Sequence, residues 1–199
     1  AQQSGADAVK VQIHPWMGTR REVLVGYFDA VQSATTLPLL VWANWPAPCP
    51  VDVVAELARR PQIIGMKNDS DQFYGYYDLI RATRDQDFAV ISGGQMRNFA
   101  FGFPLGSPAY LCTVAPFRPD VSLGFWRALQ AGQTQQAWDI VYRFEEPWLQ
   151  LTEQLAWLPS IKSALQAFGL YPNRRLRAPA LSHTPEEFAR VRCCLERIF

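Results

Sequence analysis

Residues 63–70, IIGMKNDS, combine an apolar run, a single lysine and a polar end. The run is typical of a buried β-strand, and it would place Lys67 at the end of that strand. An ammonium group in an apolar pocket is poorly solvated, so its pKa falls and the free amine becomes a nucleophile toward carbonyl compounds. The alternative is a lysine that reaches solvent or pairs with Asp69 or Asp71.

Two histidines and two carboxylates are further candidates for proton transfer. His14 ends the first predicted strand, where a base would be useful, and the alternative is a histidine that holds a His-Pro turn. His183 falls in a C-terminal loop and is interpreted as structural. Asp69 and Asp71 could form an acid/base pair, but solvated loop acids with a helix-capping role fit their positions better. Because no His, Cys, Asp or Glu residues have the spacing of metal ligands, we expect no metal site.

The elements that must position these side chains alternate between strand and helix patterns. Five strand-like stretches cover residues 5–15, 37–44, 62–67, 87–92 and 109–115. This alternation predicts a parallel α/β sheet, either a (β/α)8 barrel or an open doubly wound sheet. Turn residues cluster after the carboxyl ends of the strands, where both architectures place their ligands. No glycine-rich dinucleotide pattern follows a strand, which argues against a dinucleotide site, and no phosphate-binding P-loop pattern occurs.

From Asp120 onward the sequence predicts only helices. Their expected ranges are 120–131, 133–157, 159–168 and 185–198. The last helix has a clear start, because Thr184 can cap it and Pro185 suits its first turn.

The composition describes a folded protein without a strongly charged surface. Hydrophobic residues make up 49% of the 199 residues, and the formal net charge is +1. This balance gives no electrostatic case for nucleic acid or an anionic membrane as a partner. No apolar stretch approaches the roughly 20 residues needed to span a bilayer. The four cysteines lack the spacing of a zinc site or a disulfide framework, so we expect reduced thiols in a cytoplasm.

Short motifs recur in a fixed order along nearly the whole chain. They are GADAV at 5–9, LPL at 37–39, NWP at 44–46, PQIIGMK at 61–67, FAVISG at 88–93, LG at 105–106, KSAL at 162–165 and LRAP at 176–179. This series resembles the dihydrodipicolinate synthase / N-acetylneuraminate lyase family of Schiff-base aldolases and lyases. The most specific of the motifs is the one that ends in Lys67.

The resemblance implies a fold, an activity and a set of site residues. Members of the family are (β/α)8 TIM barrels with extra C-terminal helices and are usually tetramers, so a homo-oligomer is implied here. Lys67 would form a Schiff base with pyruvate or a related 2-keto acid, and the iminium would let a C–C bond form or break at the neighbouring carbon. The resemblance also places Gly93 and the backbone around Leu111 against the keto acid, and it makes Asn44 a further substrate-binding residue. It implies no cofactor.

The chain departs from the family pattern at its beginning. The five predicted strands match the family's fourth to eighth, and five strands cannot close a barrel built on eight. Residues 1–118 would then be the C-terminal part of the barrel. Residues 119–199 would be its last helix and a C-terminal helical extension. We therefore expect either that the sequence is a fragment of a longer chain, which we favour, or that another chain completes the barrel.

The second departure concerns proton transfer. The family's catalytic tyrosine falls at Ala43, whose side chain cannot relay a proton. His14 is then a possible substitute base. The alternative to a working aldolase or lyase is a homologue that has lost turnover and binds a small keto acid or sugar acid.

Overall fold

The computed structural model describes residues 1–43, 49–69 and 72–199. Within these residues, four parallel strands form one sheet in the order β1-β2-β3-β4. The strands are β1 (Val9–Gln12), β2 (Leu39–Ala43), β3 (Ile63–Asn68) and β4 (Ala89–Ser92). The connections between them carry the helices α1 (Arg21–Ala34), α2 (Val51–Leu57) and α3 (Phe73–Thr83). The predicted parallel α/β architecture is thus confirmed.

The predicted fifth strand is present only as a bridge between Ser92 and Tyr110. The Ser92 N–H donates to the Ala109 carbonyl at 3.0 Å, and the Leu111 N–H donates to the Ser92 carbonyl at 2.9 Å. Because β4 ends at Ser92, it offers the following residues no further backbone partners. The predicted range 109–115 was therefore too long. Between β4 and this bridge lie α4 (Met96–Gly102) and the 3-10 turn Phe103–Leu105.

The two faces of the sheet differ in burial because successive side chains of a strand point to opposite sides. The face covered by helices is apolar and buried, and its central row is Val11, Val41, Met66 and Val90. The register places on the other face a row formed by Gln12, Trp42, Lys67 and Ile91. In that row Lys67 is buried while its three neighbours are half-buried. We call this second side the inner face.

The chain divides into two compact units. The predicted boundary between residues 118 and 119, which separates the barrel part from the C-terminal helices, stays a prediction. The first unit comprises Ala1–Gly94 and Asn98–Leu111, and the second comprises Gln95–Arg97 and Cys112–Phe199. Helices of the second unit are α5 (Pro119–Gln130), α6 (Thr134–Ile140), α7 (Glu146–Leu155), α8 (Trp157–Ala167) and α9 (Pro185–Ile198). None of the helices in the described ranges has both the length and the apolar character that crossing a membrane requires.

The start of α9 is confirmed in detail. The Thr184 hydroxyl accepts from the Glu187 N–H at 3.2 Å, and the Glu187 carboxylate accepts from the Thr184 N–H at 2.8 Å. This reciprocal pair is a capping box, which satisfies two backbone donors at the helix start. The predicted helix 133–157 is instead interrupted by a π-helical turn at Val141–Glu145.

Glu145 ends this π-helical turn and is fully buried in the second unit. Its carboxylate accepts hydrogen bonds from the backbone N–H groups of Met96 at 2.6 Å and Arg97 at 2.8 Å. Burial raises the pKa of Glu145 to about 7, although the two backbone donors act in the opposite direction. No local pattern predicts this contact, because it joins residues that are far apart along the chain.

The raised pKa of Glu145 predicts a pH-dependent stability. Between pH 4.5 and about 7 the folded protein keeps the proton that the unfolded chain releases, so the free energy of unfolding falls as pH rises through this window. The shift corresponds to a loss of about 3 kcal/mol. Urea unfolding of wild type and Glu145→Gln at pH 5 and pH 8 measures it. We expect Glu145→Gln to lose this difference between the two pH values. The control Glu153→Gln, at an exposed carboxylate of α7, should keep it. A difference in Glu145→Gln as large as that in wild type would contradict the prediction.

Candidate functional site

Lys67 is the buried cation of the inner face. It lies one residue before the carboxyl end of β3, and only 7% of the residue is exposed. In register beside it are Trp42 on β2 and Ile91 on β4. The apolar run of residues 63–66 thus forms a strand that ends in a buried amine, as its pattern predicted.

The amine is held by a carboxylate two residues further along the chain. Lys67 Nζ donates to both carboxylate oxygens of Asp69, and Trp42 Nε1 donates to Asp69 Oδ2. The backbone N–H of Asp69 still donates to the Ala43 carbonyl at 3.3 Å, so β3 continues beside β2 at this point. The side chains at 67 and 69 therefore project to the same side, and the Asp69 side chain is only 20% exposed.

This contact corrects the sequence interpretation of Asp69 as a solvated loop acid. The alternative proposed for Lys67, an ion pair with Asp69, describes the geometry that the structure shows. The pair is nevertheless largely buried, so the amine does not lie in bulk water. The signal was available in the sequence, because residues two apart on an extended strand share a face. Asp71, the other carboxylate considered, lies outside the described residues.

Two opposing effects set the proton affinity of the amine. Burial lowers the pKa of Lys67 and outweighs Asp69, whose hydrogen bonds and negative charge raise it. The positive charge of Lys10 lowers the pKa further. The centroid of the Trp42 ring lies 4.9 Å from Lys67 Nζ and 3.9 Å from Lys10 Nζ, so one indole contacts both cations. The net direction is toward the neutral, nucleophilic amine.

Gly93 provides the space that this pair occupies. A Cβ atom at Gly93 would lie 1.5 Å from Asp69 Oδ1 and 2.9 Å from Lys67 Nζ. The Gly93 N–H donates to the Asn68 carbonyl at 2.8 Å, which fixes the backbone beside the end of β3. The structure therefore brings Gly93 and Lys67 together, and the predicted contact of Gly93 with a keto acid stays a prediction.

The other predicted site residues are placed less directly. Leu111 is 46% exposed and follows the bridge to β4. His14 is exposed at the carboxyl end of β1, its ring stacks on Trp16 with centroids 6.2 Å apart, and its carbonyl accepts from the Met17 N–H at 3.0 Å. That turn geometry favours the His-Pro turn alternative, and a role for His14 as a base stays a prediction. Asn44 lies outside the described residues.

The position assigned to the family tyrosine faces away from the amine. Ala43 is 2% exposed and packs in the core on the helix-covered side, whereas Trp42 lies on the inner face beside Lys67. An indole N–H can donate a hydrogen bond but cannot accept a proton, so Trp42 offers no relay. The inner face thus presents a buried amine, a carboxylate and an indole, and the position of the family tyrosine carries no phenol.

His183 is bound on both ring nitrogens within the second unit. Nδ1 lies 2.9 Å from Ser163 Oγ, and Nε2 lies 2.7 Å from the Leu155 carbonyl oxygen. This arrangement supports its interpretation as a structural residue. In the part of the chain that the structure describes, no group of three or more His, Cys, Asp or Glu residues could hold a metal ion.

Sequence comparisons identify relatives along almost the whole chain. The model of the dihydrodipicolinate synthetase family matches residues 1–198. A probable 5-dehydro-4-deoxyglucarate dehydratase of Streptomyces coelicolor is 27% identical over 201 residues, which cover 95% of this chain and 59% of the relative. A 4-hydroxy-tetrahydrodipicolinate synthase of Methanospirillum hungatei is 29% identical over 148 residues, covering 72% of this chain and 50% of the relative. The chain thus spans little more than half the length of these curated relatives.

Solved structures of the family share the fold. Dihydrodipicolinate synthase from Oceanobacillus iheyensis superposes with a TM-score of 0.86 at 22% identity, over 98% of this chain and 65% of that chain. YagE, a prophage protein from E. coli K12 solved in complex with pyruvate, superposes with a TM-score of 0.87 at 23% identity, over 99% of this chain and 68% of that chain. The chain therefore has a TIM-barrel fold that corresponds to about two thirds of each of these neighbours, and its strands are parallel.

Proposed function

The chain belongs to the dihydrodipicolinate synthetase family, and from this membership we propose that Lys67 forms a Schiff base with pyruvate or a related 2-keto acid. The protein would then act as an aldolase or lyase that forms or breaks a C–C bond next to the iminium carbon. One observation carries the proposal. The Lys67 amine is buried at the carboxyl end of a parallel strand, which is the rim where such barrels hold their catalytic groups.

The chemistry requires a neutral amine and a carbonyl carbon. Burial lowers the pKa of Lys67, which increases the fraction of the amine that can attack. Loss of water from the first adduct gives an iminium ion that withdraws electrons from the adjacent carbon. A carbanion equivalent at that carbon can add to an aldehyde or be released when a C–C bond breaks.

The choice of a 2-keto acid rests on relatives. One solved neighbour was determined in complex with pyruvate, and one curated relative is a 4-hydroxy-tetrahydrodipicolinate synthase. The resemblance to the family also underlies the proposal of a homo-oligomer, with a tetramer as the expected form. A cytoplasmic location is a separate proposal, made from the cysteine pattern. The cytoplasmic proposal is supported by the four cysteines, all of which are free.

A second candidate function is binding of a keto acid or sugar acid without turnover. Ala43 favours it, because this residue packs in the core and Trp42 occupies the inner face beside the amine. Without a phenol at this position, the proton transfers that follow Schiff-base formation need another group. Release of a keto acid from sugar acids would distinguish turnover from binding.

Trapping with pyruvate and borohydride tests the proposal directly. Reduction of the iminium fixes pyruvate on the nitrogen, and peptide mass spectrometry locates the added mass. The sequence contains three lysines, Lys10, Lys67 and Lys162, on separate stretches of the chain, so the peptide that carries the added mass identifies the lysine. We expect the adduct on Lys67. Absence of an adduct from the full chain, or an adduct confined to the other two lysines, would refute the Schiff-base function.

A further inference from the structure

We propose that Asp69 is the acid/base group of this site, which takes a proton from the Lys67 ammonium and delivers it to the carbonyl oxygen of the bound 2-keto acid. The inference rests on the proposed Schiff-base function and adds to it the group that moves protons. It concerns a residue that the sequence resemblance did not assign to the site.

Geometry carries the proposal. Both Asp69 oxygens accept from Lys67 Nζ, so the carboxylate touches the nitrogen that would react. Trp42 Nε1 donates to Oδ2, which keeps the carboxylate on the inner face. On its other side Oδ1 lies where a Cβ of Gly93 would be. A group fixed on three sides meets the positional requirement for general acid/base catalysis, which is hydrogen-bond contact with the atom that exchanges its proton.

The site also needs such a group. The Lys67 nitrogen can attack only after its ammonium form has lost a proton, and the carbonyl oxygen must gain protons before it leaves as water. Ala43 cannot perform these transfers because it is an apolar residue in the core, and Trp42 can only donate a hydrogen bond. Burial lowers the pKa of Lys67, which makes the transfer of its proton to a neighbouring carboxylate less unfavourable.

The sequence of transfers balances with Asp69 as carrier. The ammonium gives a proton to the Asp69 carboxylate, and the neutral amine attacks the carbonyl carbon as the C=O electron pair moves to oxygen. Asp69 returns the proton to that oxygen and then removes one from the cationic nitrogen, leaving a neutral carbinolamine. Finally Asp69 protonates the hydroxyl group, the C–O bond breaks with release of water, and the nitrogen lone pair forms the iminium. Asp69 ends as the carboxylate with which it began.

A purely electrostatic role for Asp69 gives the opposite expectation. If the carboxylate only stabilised the ammonium, its removal would lower the pKa of Lys67 further, since Asp69 raises that pKa. Trapping of pyruvate would then be as fast as in wild type, or faster, at neutral pH. A proton carrier predicts slower trapping, by roughly 10²- to 10⁴-fold, because that is the usual contribution of general acid/base catalysis.

The test compares trapping rates on Lys67 in wild type, Asp69→Asn and Asp78→Asn. Asp78 is an exposed carboxylate on α3 and serves as the matched control. We expect the control to trap pyruvate at the wild-type rate and Asp69→Asn to be slower by the factor given above. Equal or faster trapping by Asp69→Asn would overturn the inference while leaving the Schiff-base function intact. No adduct in wild type would instead refute the function itself, and the inference with it.

Rescue by formate is a second measurement, and a purely structural role for Asp69 would give no such rescue of the trapping rate. In Asp69→Ala the space of the side chain is open to a small carboxylic acid, so added formate should accelerate trapping. Wild type needs no external acid, and its rate should be independent of formate concentration. Acceleration of wild type by formate, or a slow Asp69→Ala variant that formate does not accelerate, would overturn the assignment. The wild-type arm of this test does not depend on any variant being folded.

Discussion

Lys67→Met is expected to abolish adduct formation with pyruvate and borohydride. Methionine fills a similar volume with an unbranched apolar chain, so it preserves the packing and removes the nucleophile. Asp69 keeps its hydrogen bond from Trp42 and remains partly solvated, and for this reason the fold should tolerate the loss of the ion pair. The measurement is the intact mass after reduction, with a thermal unfolding curve to verify that the variant is folded.

The matched control for this prediction is Lys162→Met. Lys162 lies on α8, with Nζ 4.6 Å from the centroid of the Tyr171 ring, and it belongs to the second unit. We expect it to carry no pyruvate and the Lys162→Met variant to trap pyruvate at the wild-type rate. An adduct that persists in Lys67→Met and disappears in Lys162→Met would show that Lys162 is the nucleophile, and it would contradict the proposed site.

Gly93→Ala is expected to slow trapping by about a hundredfold. The new Cβ would occupy the position of Asp69 Oδ1, and the end of the Asp69 side chain can move away at modest cost in stability. Such a movement separates the carboxylate from Lys67 Nζ, and misplacement of a reacting group by about 1 Å can cost 10²-fold in rate. Trapping kinetics at saturating pyruvate, together with urea unfolding, separate the loss of rate from any loss of stability.

The neighbouring Gly94 supplies the control. Its φ is +82°, a left-handed conformation that a residue with a Cβ adopts at a cost of about 1–2 kcal/mol, while its added Cβ would meet nothing within 4 Å. Gly94→Ala should therefore lose stability and keep the trapping rate, whereas Gly93→Ala should lose the rate with a smaller change in stability. Similar trapping rates in the two variants would show that the space beside Lys67 does not matter.

Elements set by local pattern were predicted well. The apolar run before Lys67 forms β3, and the Thr184 capping box starts α9 at Pro185. Both depend on short segments whose side chains determine the structure directly. The apolar run at 109–115 has the same local pattern, but strand formation also requires a partner, and β4 ends after a single bridge.

The candidate site shows the same limit of local pattern. The buried lysine could be inferred from its own strand, whereas the role of Trp42 depends on the register that pairs it with Lys67. Register between strands is decided by the packing of the whole sheet, which a short motif does not reveal. The contact of Glu145 with Met96 and Arg97 depends in the same way on distant parts of the chain.

Lys67 and Asp69 are separated by one residue on one extended segment. This short spacing affects how the two residues can be passed on together between related proteins. Their spacing is fixed by the backbone of three consecutive residues, so it does not depend on how two different strands are aligned. A single short exchange could transfer both residues together to a related scaffold, where the positions that match Trp42 and Gly93 would still have to hold the carboxylate. A reactive centre that draws its two partners from separate strands lacks this robustness, because an insertion between them can pull the partners apart.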